Sequence, residues 1–469
     1  MKKNRLNLSL LLLFISIGIF LLLFFRLEPD YFWHIKAGEY MFKNGVITHD
    51  VFSWFVSGKY WFSHEWLFEI IIYALKLIFK SIHPLIYCFI CLTSMFTIMF
   101  FSNKKNILKN IPYTLMYLMF IGLLMIPYIQ VRPHMISNIF VLLSVYFLYD
   151  LYKNKDSKKI YLLPIITIIW SNIHGGSSNL SYILCFIFLI SGLFSFKFKK
   201  IENNKLSKKQ LYKYLIVMIL CMIGVCINIH GVKMFIYPYS NMMDTTMLNN
   251  ISEWQPTNLN NIFHYSYFMF IIFMVITMLI SDKKIKLIDL LLLGFCTYLG
   301  LKSVRFWLYS PIFMYYVIYD YVKERDLDKG VSVILIIISI TLLSIFTVSS
   351  NKLFSIKYKF ALNSEVIDVI KREKPNRLFN MYDYGGELVY SDIPVFIDGR
   401  ADLYSKYNYK DYLDISNGKN DYVSLIKKYD FDYLLIDKKY PIYTYIRYSN
   451  DYEIVYESKK IILYKKIVN

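Results

Sequence analysis

Long apolar runs alternate with short polar connections from the N-terminus to about residue 349, and beyond about residue 352 the pattern changes to short mixed segments. Runs such as Leu8–Phe25, Ile111–Ile129, Leu211–Ile229 and Val331–Ser349 are each long enough to cross roughly 30 Å of hydrocarbon as helix. The whole set predicts about eleven membrane helices, at residues 8–25, 83–101, 111–129, 135–151, 160–173, 180–196, 211–229, 263–281, 287–301, 306–321 and 331–349. The first run follows Lys2, Lys3 and Arg5, as a signal peptide would. It is longer than a signal core and no small-residue cleavage site follows, so it reads as a retained first helix. Residues 1–349 form the predicted helical membrane domain, and residues 350–469 a small α/β domain. In the latter, Ser364–Glu373 and Asp421–Tyr429 read as helices, and Arg377–Asn380, Pro394–Asp398 and Tyr433–Asp437 as strands. Tyr452–Tyr456 and Ile461–Lys465 read as a hairpin across Glu457–Lys460.

Charge gives this plan a direction. The formal net charge is +19, but the lysines lie mainly in alternate short connections, which is how a membrane protein orients against the cytoplasmic face and not how a nucleic-acid-binding patch is built. The Lys-dense set holds Lys2/Lys3/Arg5, Lys104/Lys105/Lys109, Lys153–Lys159, Lys197–Lys213, Lys283–Lys286 and Lys323–Lys329. With these inside, an odd helix count puts the N-terminus inside and the C-terminal domain outside a multi-pass cytoplasmic (cell) membrane protein. Trp66–Lys80 is apolar but carries Glu69, Lys76 and Lys80, and a crossing there would invert every later connection. It therefore reads as an amphipathic helix in the outer interface. All six cysteines fall in apolar runs, and Cys88-x-x-Cys91 within a predicted membrane helix reads as packing.

The chemistry-bearing residues gather at the outer ends of the predicted helices, where ionisable groups near membrane depth are informative. The long first outer loop, 26–82, holds Asp30, His34, His64 and Glu65. Later outer turns hold Arg132 and His134, then His174, then His230 and Glu253, then Lys302 and Arg305. Carboxylates on this face offer acid–base chemistry, and Arg, Lys and His suit an anion such as the phosphate of a lipid. Each residue also has a plainer reading. Asp30 caps a helix as readily as it catalyses, His64-Glu65 suits an interfacial hydrogen-bonded pair, and Lys302 and Arg305 suit snorkelling cations. No spacing meets a zinc-site pattern. A divalent cation held by Asp30 and Glu65 is an open alternative, and the metal is otherwise unknown. In the C-terminal domain, Asp398, Arg400 and Asp402 suit either acceptor binding or a structural ion pair, with the ion pair favoured.

The chain resembles bacterial polytopic membrane proteins of the GT-C glycosyltransferase type, which include mannosyltransferase- and arabinosyltransferase-like families. The resemblance covers most of the chain. It rests on Asp30…Trp33-His34…Gly38, Asp50-Val51-Phe52-Ser53…Gly58…Trp61…His64-Glu65-Trp66-Leu67, Arg132-Pro133-His134, Trp170-Ser171-Asn172-Ile173-His174-Gly175-Gly176, Asn228-Ile229-His230-Gly231 and Glu253-Trp254. It continues into Tyr382-Asp383-Tyr384-Gly385-Gly386 and Phe396-Ile397-Asp398-Gly399-Arg400-Ala401-Asp402-Leu403-Tyr404. The resemblance implies transfer of a sugar from a polyprenyl-phosphate donor to an envelope glycan, lipid or protein acceptor at the outer membrane face. Asp30 matches the family's acidic position after the first helix, as general base or metal ligand. The family's contiguous Asp-Glu pair is replaced here by Glu28-Pro29-Asp30. On this reading Asp30, His64 and Glu65 are catalytic, and His34, Arg132, His134, His174, His230, Glu253, Lys302 and Arg305 bind substrate. The partners are the lipid-linked donor and membrane lipid, with no nucleic acid. Two rivals stand beside it: a transporter or flippase, which should show internal repeats and mid-membrane polar groups, and a non-catalytic assembly factor for envelope polysaccharide.

Overall fold

The structure is a computed structural model that describes residues 2–261, 264–323, 331–354, 361–419 and 421–467. The chain divides into two compact units. One comprises Met1–Arg26, Phe79–Met243 and Leu248–Ser355, and the other Leu27–Ile78, Asp244–Met247 and Ile356–Asn469.

The first unit is helical. Among the described residues of the chain, five helical runs are long and apolar enough to cross a membrane: Arg5–Phe24, Trp66–Lys109 (of which Trp66–Ile78 belongs to the second unit), Ile111–Tyr128, His134–Lys153 and Gly175–Leu193. Lys159–Ile173, Tyr265–Ile280 and Val333–Ser349 are apolar but shorter. The chain is a multi-pass membrane protein. Inside the run Trp66–Lys109, the Trp66–Phe79 helix is separate from His83–Lys109, because Lys80 takes φ 47° between them. The expected helix 306–321 is instead two short pieces, Tyr309–Met314 and Ile318–Tyr321. Its tyrosines are buried and tied to other helices. Tyr315 donates to Met99 O at 2.8 Å, Tyr316 meets Ser102 Oγ at 2.8 Å and Tyr319 meets Thr114 Oγ at 2.9 Å. Such a segment is held by side-chain hydrogen bonds rather than by an apolar lipid face. The basic connection after Leu193 contains an unforeseen hairpin, β1 (Phe196–Phe198) with β2 (Ile201–Asn203). Its signal is the alternation Phe196-Lys197-Phe198.

The second unit packs a four-stranded sheet, β3 (Leu378–Asn380), β4 (Tyr433–Asp437), β5 (Tyr452–Glu457) and β6 (Ile461–Lys466), in the order β3-β4-β6-β5. Only β3–β4 is parallel. Strand β4 is buried along its length. The helix Ser364–Glu373 starts where Asn363 accepts the Val366 N–H at 3.1 Å. The expected strand Pro394–Asp398 forms no ladder. Side chains and the first loop take its backbone groups instead: Phe396 N–H goes to Asn380 Oδ1 at 2.9 Å, Ile397 O to Asn380 Nδ2 at 2.8 Å, and Val395 O to Trp54 N–H at 3.0 Å.

The first loop is therefore part of this unit. It contains a 15-residue helix, Asp30–Asn44, with Asp30 in its first turn and Gly45 at φ 87° closing it. Trp33, Ala37, Met41 and Trp61 join Phe379, Phe396, Leu434 and Leu463 in one apolar core. Glu387, buried on the Tyr382–Tyr390 helix, accepts the backbone N–H groups of Ala361 at 2.6 Å and Leu362 at 2.9 Å. Burial pushes its carboxyl up to about 7, against the pull of those two N–H groups. A raised acid holds its proton more tightly when folded. Its contribution is complete below the ordinary value near 4.5 and is lost as pH rises through about 7, an effect on the order of 3 kcal/mol. Thermal unfolding in detergent should therefore show the melting temperature falling from pH 5 to pH 8. Glu387→Gln, which cannot ionise, should flatten that slope, and an unchanged slope would remove Glu387 as its source.

Candidate functional site

In the sheet-containing unit, the Asp30–Asn44 helix and the Trp66–Phe79 helix carry a line of acidic and basic side chains. His34 Nδ1 lies 3.2 Å from Glu69 Oε1, and His34 Nε2 lies 3.6 Å from Glu65 Oε2. Glu65 Oε1 is 3.3 Å from His64 Nε2, and His64 Nδ1 is 3.9 Å from Asp402 Oδ2. The order Glu69–His34–Glu65–His64–Asp402 alternates carboxyl and imidazole. Burial alone would drive the His64 imidazolium toward neutrality. The adjacent Glu65 carboxylate, Asp402 and the Phe62 carbonyl outweigh it and hold the imidazole above its ordinary range. His64 thus stands between two carboxylates, an arrangement that suits the passing of a proton.

Asp30 stands at the head of the same helix against the Asp398-Gly399-Arg400 turn. A Cβ on Gly399 would sit 1.8 Å from Asp30 Oδ1 and 2.6 Å from Trp33 Nε1, so only glycine lets the turn approach this closely. A Cβ on Gly38 would meet Glu69 O at 2.1 Å, which sets the approach of the two helices that carry His34 and Glu69. The turn itself is fixed by Arg400, which is 1% exposed. Arg400 donates to Asp398 at 2.6 Å and to Asp50 at 2.5 Å, and its guanidinium lies 4.8 Å from the Trp61 ring centroid and 5.2 Å from that of Phe52. Asp50 also accepts the Ser53 N–H at 3.0 Å and the Ser53 hydroxyl. The three-residue acid–arginine–acid knot ties the Asp50–Ser53 turn to the turn that faces Asp30.

The helical unit holds a second constellation. Arg132 Nη1 lies 3.4 Å from Glu253 Oε1, and Arg305 Nη1 lies 3.9 Å from Glu253 Oε2. Arg305 Nη2 is 3.4 Å from His174 Nε2, and its guanidinium lies 5.0 Å from the Trp254 ring. With Arg305 donating to Nε2, a neutral His174 carries its proton on Nδ1 and donates it to Ser137 Oγ at 2.7 Å. The same Oγ accepts from Trp170 Nε1 at 2.8 Å. Backbone anchors set the positions: Tyr87 donates to Arg132 O at 2.7 Å, Ser303 Oγ to Glu253 O at 2.8 Å, and Val304 N–H to Gln255 O at 3.1 Å. Four separate turns thereby deliver two guanidiniums, an imidazole and one carboxylate. The side chains of Arg132, Arg305 and Glu253 are 19%, 27% and 28% exposed, so an incoming anion can reach the cations.

The structure groups His34, His64 and Glu65 with Glu69 and Asp402, and groups Arg132, His174 and Arg305 with Glu253. His134 donates from Nε2 to Tyr128 O at 2.7 Å, which ties it to the preceding turn. His230 sits in the turn before Gly231 (φ 55°), with its N–H on Asn228 Oδ1 at 2.7 Å. Lys302 ends the Leu287–Lys302 helix as an exposed side chain, and no ion pair of it is seen among the described residues. Asp398 and Arg400 form the ion pair that the sequence favoured, while Asp402 faces His64 instead. Glu69 and Asp50 went unassigned in the sequence. The signal for Glu69 was available: a glutamate on the same helical face as Phe68, Ile72 and Tyr73, all buried. Among the described residues no cluster of three or more His, Cys, Asp or Glu is arranged to hold a metal ion.

No family profile and no curated relative matches the sequence. Solved structures do match in fold. The oligosaccharyltransferase of Archaeoglobus fulgidus, tethered by a disulfide bond to an acceptor peptide containing the NVT sequon, superposes with a TM-score of 0.50 at 12% identity. That alignment covers 98% of this chain and 74% of that one. The apo form of the same enzyme gives a TM-score of 0.48 at 11% identity over 92% and 69% of the two chains. The fold comparison rests on the first of these. The chain shares the fold of that enzyme.

Proposed function

We propose that this protein is a membrane glycosyltransferase that moves a sugar or glycan from a polyprenyl-phosphate donor to an acceptor of the cell envelope at the outer face of the cell membrane. The observation that carries the reading is the convergence of Arg132 and Arg305 on Glu253, with His174 against Arg305, in a unit of apolar helices. A phosphate in place of the Glu253 carboxylate meets two guanidiniums able to grip it in bidentate fashion, while the lipid tail stays in hydrocarbon. Lys302, exposed at the end of its helix, adds a further cation. The similar solved structure is that of an oligosaccharyltransferase, and it supports the same reaction class by fold analogy alone. The proposal includes eleven crossings with the N-terminus inside and the C-terminal segment outside.

Asp30 is assigned the role of general base that takes the proton of the attacking acceptor group, with His64 and Glu65 passing or positioning it and His34 orienting Glu65. A divalent cation at Asp30 is compatible with a hard oxygen donor, although the described residues offer no ready ligand cluster. Two outcomes are expected. In nanodiscs, polyprenyl monophosphate should bind more tightly than the corresponding polyprenol, and Arg132→Gln and Arg305→Gln should each weaken phosphate binding by about tenfold or more. Equal affinity for the alcohol and the phosphate would contradict a phosphate site. Gly399→Ala should displace Asp30 and lower transfer by on the order of 10²-fold, since a shift of about 1 Å at a reacting group has that effect. Gly294→Ala, where a Cβ meets nothing within 4 Å, is the matched control. Full activity in the Gly399→Ala protein would detach Asp30 from the reaction.

A further inference from the structure

A polar cavity of about 670 Å³ lies in the helical unit among Tyr152, Lys153, Lys155, Lys205, Gln210 and Lys286, with Asp156 and Glu202 also on its wall. None of these residues belongs to the constellations described above. Its lining is net positive. Asp156 is held at 2.6 Å by Lys209 and Glu202 at 3.7 Å by Lys197, both from outside the lining, and Lys153 and Lys286 share the single carboxylate of Asp320 at 2.8 and 2.6 Å. The loop that bears Lys155 is tied down by Lys213, a buried ammonium that donates to Lys155 O at 3.0 Å and Ser157 O at 2.8 Å. The lining itself holds four lysines, Lys153, Lys155, Lys205 and Lys286, against the two carboxylates of Asp156 and Glu202, each of which already pairs with a lysine outside it.

Two features indicate where the compensating anion comes from. The cavity sits at the ends of three apolar helices: Lys153 ends His134–Lys153, Gln210 lies in the first turn of Lys208–Val225, and Lys286 precedes Leu287–Lys302. Helix ends of this kind mark the level of lipid headgroups. The hairpin that supplies Glu202 to the wall also leaves Phe196 and Phe198 exposed, the latter at 62%, next to exposed Phe194. Exposed aromatics beside a lysine-rich cavity match the two halves of a lipid, apolar chain and anionic head. We propose that this cavity binds the phosphate of an anionic phospholipid headgroup. The lysines supply the charge, and the hairpin phenylalanines rest in the acyl region beside it.

The test uses the full-length protein, purified in a neutral detergent and exchanged into nanodiscs of phosphatidylcholine with increasing phosphatidylglycerol. Native mass spectrometry counts the lipids retained on release. Wild-type protein should retain phosphatidylglycerol over phosphatidylcholine by about thirtyfold, on the scale expected for two lysines near an anionic headgroup. Lys155→Gln/Lys205→Gln should abolish most of that preference, and Lys155→Arg/Lys205→Arg should keep it. Lys104→Gln/Lys105→Gln, the same charge change at the end of a different helix, should also keep it. A preference unchanged in the Lys155→Gln/Lys205→Gln protein, or lost equally in the Lys104→Gln/Lys105→Gln protein, would overturn the site. Inorganic phosphate that displaces phosphatidylglycerol at millimolar concentration would replace the lipid with a soluble phosphate compound and overturn the lipid assignment.

Discussion

An Asp30→Asn protein is expected to reach the membrane in normal amount and to transfer sugar slower by on the order of 10² to 10⁴-fold, the range for loss of a group that takes a proton in the transition state. The substitution preserves shape. Asp30 occupies the first turn of the Asp30–Asn44 helix, where a carboxylate is favoured by the helix dipole, and it lies against Gly399 in a space that admits no added atom. Asn fits the same space, and loss of the carboxylate's attraction to the helix dipole costs only about 0.3–1 kcal/mol, so the helix and the contact with the 398–400 turn should persist. Only the charge and the basicity are removed. Glu28→Gln, two residues earlier, is the comparison that separates the loss of a particular base from the loss of any acid in this turn. Transfer per mole of protein in reconstituted membranes should fall for Asp30→Asn and stay near wild type for Glu28→Gln. Equal rates for wild type and Asp30→Asn would remove the general base from the mechanism.

Replacement of Arg400 should produce the largest loss of stability. The guanidinium is buried and satisfies both Asp398 and Asp50, while its face is covered by Trp61 and Phe52. Arg400→Met keeps most of the volume but strands two buried carboxylates, and breaking a buried ion pair in this way costs on the order of 3–5 kcal/mol. The loss should be seen as a fall in the melting temperature and as proteolysis within 27–78 and 361–467, because the knot joins the Asp50–Ser53 turn to the 398–400 turn. The triple replacement Asp50→Asn/Asp398→Asn/Arg400→Met removes all three charges and should recover part of the stability, since no unpaired charge is then buried. A wild-type melting temperature for Arg400→Met alone would mean that the turn is held by its apolar neighbours.

Much of this was legible in the sequence, for identifiable reasons. Apolar runs fix where helices form because a membrane-depth backbone must satisfy its own hydrogen bonds, and the described helices fall within a few residues of most expected runs. The helix Ser364–Glu373 follows the helical period, and the hairpin Tyr452–Glu457/Ile461–Lys466 was readable from two apolar, β-branched and aromatic runs either side of the Ser458-Lys459-Lys460 turn. The 394–398 segment was not. Its short apolar run Val395-Phe396-Ile397 is that of a buried strand, but Asn380, Asn408 and the 52–54 backbone reach it from distant positions, and local pattern carries no information about partners that far away in sequence. The helix Asp30–Asn44 was concealed by its mixed composition, since it is covered by residues from 362–464. At the candidate sites, residue type singled out Arg132, His174, Glu253 and Arg305, and the structure brings these four together. Residue type left Glu69 unassigned, because a glutamate in an apolar helix looks like the exposed edge of an amphipathic face until the neighbouring His34 is in place.

The central claim is transfer from a lipid-linked donor, and the most direct measurement is mass spectrometry of the polyprenyl-linked sugar pool and the envelope glycans in a strain that lacks this protein. The account predicts that one polyprenyl-phosphate-linked species accumulates, that the corresponding sugar disappears from an envelope product, and that wild type but not Asp30→Asn restores both. A lipid-linked pool and envelope glycans identical to the parent strain would contradict it.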